Sequence, residues 1–417
     1  MKIAIPKERR PHEARVAASP ETVKKLIALG CKVVVEKGAG AGAAMIDSAY
    51  RDAGATIAGD EKAALAEAEI VLKVQRPEAK ELALLQKGAV LVSIMDPYRA
   101  GKDLAALAGA GVTSFAMDLM PRITRAQTMD VLSSQSNLAG YKAVVDAADQ
   151  FGSAFPMMMT AAGTVPPARV MVMGAGVAGL QAIATARRLG AIVSATDVRP
   201  AAKEQVESLG GSFVAVEDEE FKEAETAGGY AKEMSDAYKE KQAQLIAETI
   251  PKQDIIITTA LIPGRPAPRL ISAYMVASMK PGSVIVDLAV EAGGNCELSE
   301  PGKVVTKHDV TIIGHLNMPS RLAVDTSKLY ARNLYSFLEL IVDKDSGKLA
   351  IDWEDEIIKE TCVTHDGKVV HPALAELAAA APKPAPAAAP EPKPRAKPKA
   401  TPKARAKPKP GGKGGEA

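Results

Sequence analysis

The chain has 417 residues, of which 47% are apolar and 24% are charged, with a formal net charge of +2. This balance is typical of a soluble globular protein, and the length suffices for two or three domains. No window of 18 or more uncharged apolar residues occurs, so we expect no membrane-spanning helix and no signal peptide.

Charge is distributed unevenly along the chain. Residues 380–417 contain ten Lys or Arg and two Glu, so this segment carries +8 and the remainder carries −6. An acidic folded part offers no basic face, which argues against nucleic-acid binding. The three Cys are scattered without a CxxC pair, which indicates a reducing compartment, and the five His lack metal-ligand spacing. We therefore expect no metal site.

Residues 1–134 alternate short β-like runs with helical runs. This alternation predicts a doubly wound, parallel α/β sheet. Gly38, Gly40 and Gly42 follow the second predicted strand, but their even spacing favours a simple turn over a nucleotide loop. The predicted strands span 2–5, 32–36, 70–74, 89–94 and 112–117, and the helices between them include 20–29, 60–66, 78–86 and 103–108.

A polar loop follows the last of these strands. Arg122, Gln127 and Asp130 place a cation, an amide and a carboxylate directly before a helix predicted over 133–151. Open α/β sheets bind ligands at the carboxyl ends of their strands, which makes the loop a candidate site. The alternative is a polar loop that only caps the helix.

A second α/β unit is predicted over 168–318, after a Met- and Gly-rich connection over 152–166. It opens with a strand, then Gly174, Gly176 and Gly179 at the start of a helix, then a second strand that ends at Asp197. A bare G-x-G-x-x-G is a weak signal, but this order of strand, turn, helix, strand and acid is typical of a dinucleotide-binding fold. Further strands are predicted over 212–216, 254–259, 283–288 and 310–314.

The residues of this motif suit one kind of ligand. Gly174 allows the tight turn, Gly176 lets a pyrophosphate approach the backbone, and Gly179 lets helix and strand pack closely. The pyrophosphate would then lie on the first amides of the helix. Asp197 would accept hydrogen bonds from the adenosine ribose and repel a 2′-phosphate, whereas Arg199 could accept one. We favour NAD(H).

Two further loops of the second unit are candidates. Residues 258–265 follow a strand at the predicted cleft edge. The acidic loop over 217–236 contains Gly228 and Gly229, which could hinge a lid that lays Tyr230 over a cofactor; the alternative is a mobile surface loop. No cleft loop carries a His with an acid partner, as a carbonyl-reducing dehydrogenase requires.

The domain organisation follows from these elements. A helix predicted over 322–342 crosses back to the first sheet, and the segment that follows it closes that domain. We expect a discontinuous first α/β domain of residues 1–134 plus 319–375 and an NAD-binding Rossmann domain of residues 135–318, with the active cleft between them. The Ala-, Pro- and Lys-rich residues 376–417 lack core-forming side chains and are predicted to be a disordered basic tail.

Together these motifs resemble the soluble NAD(H)-binding subunit (domain I) of the proton-translocating nicotinamide nucleotide transhydrogenases. The resemblance covers about residues 1–375. The segments that carry it are 5–8, 120–130, 132–140, 173–179, 195–199, 227–234 and 260–268.

The resemblance implies a site and a reaction. Arg122, Gln127 and Asp130 are implied to be catalytic, placing the nicotinamide and its ribose towards a partner that binds NADP(H). Hydride would pass directly between two nicotinamide rings, so the protein needs no acid–base pair of its own. The implied cofactor contacts are Arg125, Ser133, Gly174, Ala175, Gly176, Val177, Gly179, Asp197, Val198, Arg199, Gly229, Tyr230, Leu261, Pro263 and Gly264.

The resemblance also implies an assembly. The chain would form a homodimer and would be an active Si-specific or Re/Si-specific transhydrogenase only with its partner subunits. A membrane partner would translocate the protons. The chain itself would be cytoplasmic and peripheral on the inner face of the plasma membrane.

Two other functions compete with this one. An alanine-dehydrogenase-like oxidoreductase would share the opening residues 5–8, Arg15 and Lys73. However, residues 93–97 contain no His where that family has one, and Glu291 stands where that family has Asp. A non-catalytic NAD-sensing subunit is compatible with the same binding motifs.

Overall fold

The computed structural model describes residues 1–222 and 234–379, which form two helix-flanked sheets and a short hairpin. The predicted α/β class is therefore confirmed. The first sheet contains six parallel strands in the order β3-β2-β1-β4-β5-β6. These strands are β1 (Lys2–Ile5), β2 (Lys32–Glu36), β3 (Thr56–Ala58), β4 (Ile70–Gln75), β5 (Val90–Ile94) and β6 (Thr113–Ala116).

Helices connect the strands of this sheet. The first begins with a capping box in which the side chains of Ser19 and Thr22 each accept a hydrogen bond from the other's backbone amide. The strands consist largely of Val, Ile and Leu, because both faces of a parallel sheet are covered. The connecting helices are α1 (Pro20–Ala28), α2 (Asp47–Asp52), α3 (Glu61–Leu65), α4 (Ala79–Leu82) and α5 (Gly101–Gly109).

A long helix, α6 (Val131–Gln150), links the two sheets. It begins two residues before the predicted start, because the Asp130 side chain caps it by accepting from the Ser133 amide. The predicted irregular connection that follows contains an exposed antiparallel hairpin of β7 (Met158–Thr160) and β8 (Gly163–Val165).

The second sheet repeats the topology of the first. Its parallel strands lie in the order β11-β10-β9-β12-β13-β15, with β14 antiparallel at the edge. The strands are β9 (Arg169–Met173), β10 (Ile192–Thr196), β11 (Ser212–Phe213), β12 (Ile255–Thr258), β13 (Val284–Asp287), β14 (Lys303–Lys307) and β15 (Val310–Gly314). The helices are α7 (Val177–Arg188), α8 (Ala201–Ser208), α9 (Glu219–Lys222), α10 (Asp236–Thr249) and α11 (Ala273–Ala277).

The strand predicted over 212–216 is shorter in the structure. It ends at Phe213, because the Val216 amide donates to the Gln242 side chain and the Val216 carbonyl accepts from the Tyr238 hydroxyl. Both partners lie on α10. The backbone therefore leaves the sheet to satisfy its polar groups on a helix.

The C-terminal part of the chain returns to the first sheet. Helix α12 (Ala323–Ile341) packs on α1 and α6, and α13 (Glu356–Thr361) leads into β16 (Cys362–His365) and β17 (Lys368–Val369). Strand β16 pairs antiparallel with β6. Helix α14 (Pro372–Ala379) packs on α5 and extends four residues into the segment predicted as a tail, because Leu374 anchors its first turn in the core.

Within residues 1–222 and 234–379, none of the helices combines the length and apolarity that crossing a membrane requires.

Candidate dinucleotide site

The turn between β9 and α7 is built for close approach of a ligand. Gly174 has φ of +101°, in the region that favours glycine, and a Cβ on Gly179 would lie 1.8 Å from the Gly174 carbonyl oxygen. No atom lies within 4 Å of the position that a Cβ on Gly176 would occupy. This open backbone at the start of a twelve-residue helix fits a pyrophosphate.

Asp197 follows β10 and stabilises this turn through a hydrogen bond. Its Oδ2 atom accepts a hydrogen bond from the Ala175 amide at 2.7 Å. The carboxylate also accepts from the Arg199 amide and pairs with the Arg199 guanidinium at 2.9 Å. The acid therefore lies beside the glycine turn, where a ribose would lie, and part of its charge is balanced by Arg199.

Exposed aliphatic side chains lie on the segments that follow β9, β10 and β12. Val177 and Val198 are 40% and 37% exposed, and Leu261 is 57% exposed. Aliphatic residues on the strands β9, β12 and β13 are buried instead. Apolar walls next to a few fixed polar groups are typical of small-ligand sites.

The loop that bears Leu261, Pro263 and Gly264 is held by a buried amide. Asn295 donates from Nδ2 to the carbonyls of Ala260 and Pro268 at 2.9 and 2.8 Å, and its Oδ1 accepts from the Ala260 amide at 3.0 Å. The buried carboxylate of Asp287 accepts a hydrogen bond from the backbone amide of Asn295. Neither Asn295 nor Asp287 was predicted from the sequence. Asp287 could have been found, because it is an acid at the end of a strand whose other residues are all aliphatic.

The same loop is tied to the glycine turn. The Thr259 hydroxyl donates to the Gly174 carbonyl at 2.9 Å. Strands β9 and β12 lie at the point where the strand order reverses, which is where open α/β sheets bind ligands. The turn, Asp197 and the loop over 259–264 thus form one continuous edge.

The polar loop predicted before α6 forms a 3-10 helix, Thr124–Met129, after β6. Arg122 and Gln127 are exposed, whereas Asp130 is half-buried and accepts from both the amide and the hydroxyl of Ser133. Helix α6 packs along α7, and Asn137 donates to Gln181 at 3.3 Å. The loop therefore projects from the helix that packs beside the glycine turn.

Arg125, in the same loop, has a different partner. Its guanidinium forms a two-bond pair with the carboxylate of Asp355, the N-cap residue of α13. The pair ties the loop to the C-terminal segment.

The carboxyl edges of the two sheets face each other. A Cβ on Gly264 would lie 3.2 Å from the Tyr98 ring, and the Arg99 side chain donates to the Glu291 carbonyl at 3.0 Å. Tyr98 and Arg99 follow β5, whereas Gly264 and Glu291 follow β12 and β13. The cleft expected from the sequence is thus present between the sheets.

Two buried cations lie near this cleft, and both are paired. Arg15 contacts Glu13 at 2.7 Å, and Lys73 contacts Glu81 at 2.6 Å and Glu8 at 3.3 Å. Burial acts to raise the pKa of Glu13, but hydrogen bonds led by those from Arg15 outweigh burial and lower this pKa to about 2. Burial similarly acts to lower the pKa of Lys73, and its two carboxylate neighbours raise it overall. Both side chains are therefore held as internal ion pairs.

Gly229 and Tyr230, with the rest of residues 223–233, lie outside the described residues.

The fold and the cleft define a class: α/β proteins that hold a dinucleotide between two Rossmann-like sheets. Comparison with known proteins agrees. The family model "Alanine dehydrogenase/PNT, N-terminal domain" matches residues 4–139, and "Alanine dehydrogenase/PNT, C-terminal domain" matches residues 143–372.

Individual relatives sharpen the assignment. The chain is 62% identical over 379 residues to the first part of NAD(P) transhydrogenase subunit alpha of Rhodospirillum rubrum, covering 90% of this chain and 99% of the relative. The solved transhydrogenase structure from Sinorhizobium meliloti superposes with a TM-score of 0.81 at 58% identity, covering 89% of this chain and all of that one. An L-alanine dehydrogenase structure is more distant, with a TM-score of 0.74 at 26% identity and coverage of 90% and 99%. The chain belongs to the alanine dehydrogenase/PNT family, on the branch of NAD(P) transhydrogenase alpha subunits.

Proposed function

We propose that this chain is the NAD(H)-binding subunit of a proton-translocating transhydrogenase. It is an oxidoreductase component that exchanges hydride between NAD(H) in its own cleft and NADP(H) on a partner subunit. The observation that carries the proposal is that the glycine turn, Asp197 and the loop over 259–264 form one edge, and that the exposed Arg122 and Gln127 directly precede the helix that packs against α7.

Different residues along the edge of the second sheet would contact different parts of the dinucleotide. The amides over 174–179 would hold the pyrophosphate, and Val177 would cover it. Asp197, with Val198 and Arg199, would hold the adenosine half. Leu261, Pro263 and Gly264 would line the cleft on the far side of the turn, and Gly229 and Tyr230 would cover the bound dinucleotide.

The exposed loop would set the geometry of transfer. When bound, NAD(H) supplies the hydride at C4 of its nicotinamide ring. Gln127 and Arg122 would turn their donors towards the nicotinamide end of the dinucleotide. Asp130 fixes Ser133 through two hydrogen bonds, so the loop could hold the ring and ribose in a single orientation. Arg125 would act at the margin of this site, where its pair with Asp355 anchors the loop.

The paired cations favour this function over alanine-dehydrogenase chemistry. A keto acid needs a cation for its carboxylate, and Arg15 and Lys73 already have buried carboxylate partners. Residues 93–97 contain no His, and Met95 in this segment is buried, so the segment lacks the imidazole that imine reduction in that family uses. Hydride exchange between two nicotinamide rings requires neither group.

The assembly we propose is a homodimer bound to membrane subunits. The hairpin of β7 and β8 supports the dimer, because Met157, Met158 and Met159 are all exposed on it and Met159 is 78% exposed. A run of exposed Met on a projecting strand pair is a surface that association would bury. We place the chain on the cytoplasmic face of the membrane through its partners, and we assign it a partner-dependent transhydrogenase reaction, either Si-specific or Re/Si-specific.

We also infer the domain division from the two sheets. Residues 1–134 and 319–375 contribute β1–β6, β16 and β17, whereas residues 135–318 contribute β9–β15. Along the chain, helix α6 connects the first group of strands to the second, and helix α12 connects the second group back to the first.

The test is reconstitution. The purified chain is mixed with an NADP(H)-binding partner subunit, and hydride transfer from NADH to thio-NADP⁺ is followed by absorbance. Transfer that requires both proteins, without NADH formation from alanine or consumption with pyruvate and ammonium, supports the proposal. Binding of NADH without turnover in either assay would instead select the sensing function.

A further inference from the structure

Helix α12 presents buried polar side chains to the first sheet. Ser327 accepts a hydrogen bond from the Val16 amide at 3.1 Å, and the Tyr330 hydroxyl donates to the Lys73 carbonyl at 2.8 Å. Asn333 lies one turn further along the same face of α12 and contacts the loop that carries Gln127. These three side chains hydrogen-bond to backbone groups of three separate segments of the first domain, at Val16, Lys73 and Thr128.

Asn333 makes one hydrogen bond to the loop and one to the start of α6. Its Nδ2 donates to the Thr128 carbonyl at 2.7 Å, and its Oδ1 accepts from the Ser134 hydroxyl at 2.8 Å. Thr128 lies in the 3-10 turn that contains Gln127, and Ser134 lies in the first turn of α6, directly after Ser133. Asn333 itself is 7% exposed, whereas Thr128 is exposed and Ser134 is half-buried, so both bonds lie between the core and solvent.

We propose that Asn333 is a positioning residue for hydride transfer, fixing the loop of Arg122, Gln127 and Asp130 against the start of α6. This inference rests on the proposed function. Asn333 acts through Thr128 and Ser134 and does not touch the dinucleotide. One side-chain amide joins the 3-10 turn to the first turn of α6, so its loss frees the loop to move relative to α6 and to the glycine turn beside it. A displacement of about 1 Å at a reacting group is enough to slow a reaction about 100-fold.

The effect on the fold should be separable from the effect on the loop. Thr128 is exposed, so water can satisfy its carbonyl once the amide is removed. The α12 backbone and its apolar contacts through Leu334 and Phe337 do not depend on this side chain. Loss of Asn333 therefore loosens the loop while leaving the helix in place.

Three variants make the test. Asn333→Leu removes both bonds and keeps an apolar side chain of similar volume. Ser134→Ala keeps the bond to Thr128 and removes the bond on the α6 side, together with the bonds of the Ser134 hydroxyl to the Val131 carbonyl and the Gln135 side chain. Ser327→Ala is the matched control, because it removes a buried bond from the same helix to a segment outside the loop.

The first measurement uses the nucleotide-free chain and follows amide hydrogen–deuterium exchange over residues 122–133. We expect Asn333→Leu to raise exchange in this segment, Ser134→Ala to raise it less, and Ser327→Ala to leave it unchanged. Unchanged exchange in Asn333→Leu, or an equal rise in Ser327→Ala, would overturn the inference.

The second measurement is single-turnover hydride transfer with the NADP(H)-binding partner. We expect Asn333→Leu to slow transfer about 10-fold or more, while the dissociation constant for NADH changes by less than about twofold. Equal loss of transfer and of binding would contradict a positioning role. If the unmodified chain transfers no hydride with its partner, the proposed function fails; if it does and Asn333→Leu transfers at the same rate, only this inference fails.

Discussion

The carboxylate of Asp197 accepts a hydrogen bond from the amide of Ala175, 2.7 Å away, in the middle of the glycine turn. One acid thus shapes the glycine turn, and under the proposed function the same carboxylate would hold the adenosine ribose. Removal of this acid should therefore act on ground-state binding of the dinucleotide.

Asp197→Ala should weaken NADH binding by about 1–3 kcal/mol, the usual cost of a lost charge-assisted hydrogen bond. Isothermal titration calorimetry of the purified chain measures this directly. Asp254→Ala is the matched control, because Asp254 also accepts from a backbone amide (Arg169) and pairs with a lysine (Lys280), but at the opposite end of the same sheet. If NADH binding weakened equally in both variants, Asp197 would act only through the stability of the fold and not through contact with the dinucleotide.

Gln127→Asn should slow hydride transfer more than it weakens NADH binding. Shortening the exposed side chain by one methylene moves its donor away from the ring without touching the glycine turn. Stopped-flow transfer rates and equilibrium titrations give the two quantities. Gln150→Asn, at the far end of α6, should change neither, and a proportional loss of rate and affinity in Gln127→Asn would argue against a role in transfer.

Glu13→Gln should show a pH-dependent loss of stability. The folded-state pKa of Glu13 is lowered to about 2, so its ion pair with Arg15 stabilises the fold above the unfolded pKa of about 4.5. That stabilisation, on the order of 3 kcal/mol, disappears as the pH falls towards 2. Urea unfolding at several pH values should give a large difference from the unmodified chain at pH 7 and a small one near pH 2; a difference independent of pH would refute the assignment.

Met159→Ser should shift the chain towards monomer if the hairpin is a dimer interface. Replacing an exposed thioether by a hydroxyl removes apolar area that association would bury. Analytical ultracentrifugation over a range of concentrations reports the shift. Tyr274→Ser is matched in exposure, at 79% against 78%, and lies on α11, so it should leave association unchanged.

The parts of the site that are local in sequence could be predicted from it. The glycine turn, Asp197 and the loop over 258–265 each come at the carboxyl end of a predicted strand, so their order along the chain specifies their common edge. The return of the helix over 322–342 was also predictable, because its apolar period is strong, and the structure places α12 at Ala323–Ile341.

The supporting residues were beyond such reasoning. Asn295 and Asp287 serve a loop about 30 residues earlier in the chain, and Asn333 serves a loop about 200 residues earlier. A buried amide on a helix carries no local mark of the backbone group it will meet. The hairpin at 158–165 was missed for a different reason: each strand has three residues and almost all of them are exposed, so the strands lack the alternation that identifies a strand.

The most direct test of the central claim is isotope tracing of a single turnover. The chain is loaded with NADH that carries deuterium at the transferred C4 position, the partner subunit is loaded with thio-NADP⁺, and the two are mixed in ordinary water. Direct transfer predicts that the deuterium is recovered in the reduced thio-NADPH. Recovery of the deuterium in water, or no transfer with the partner present, would contradict it.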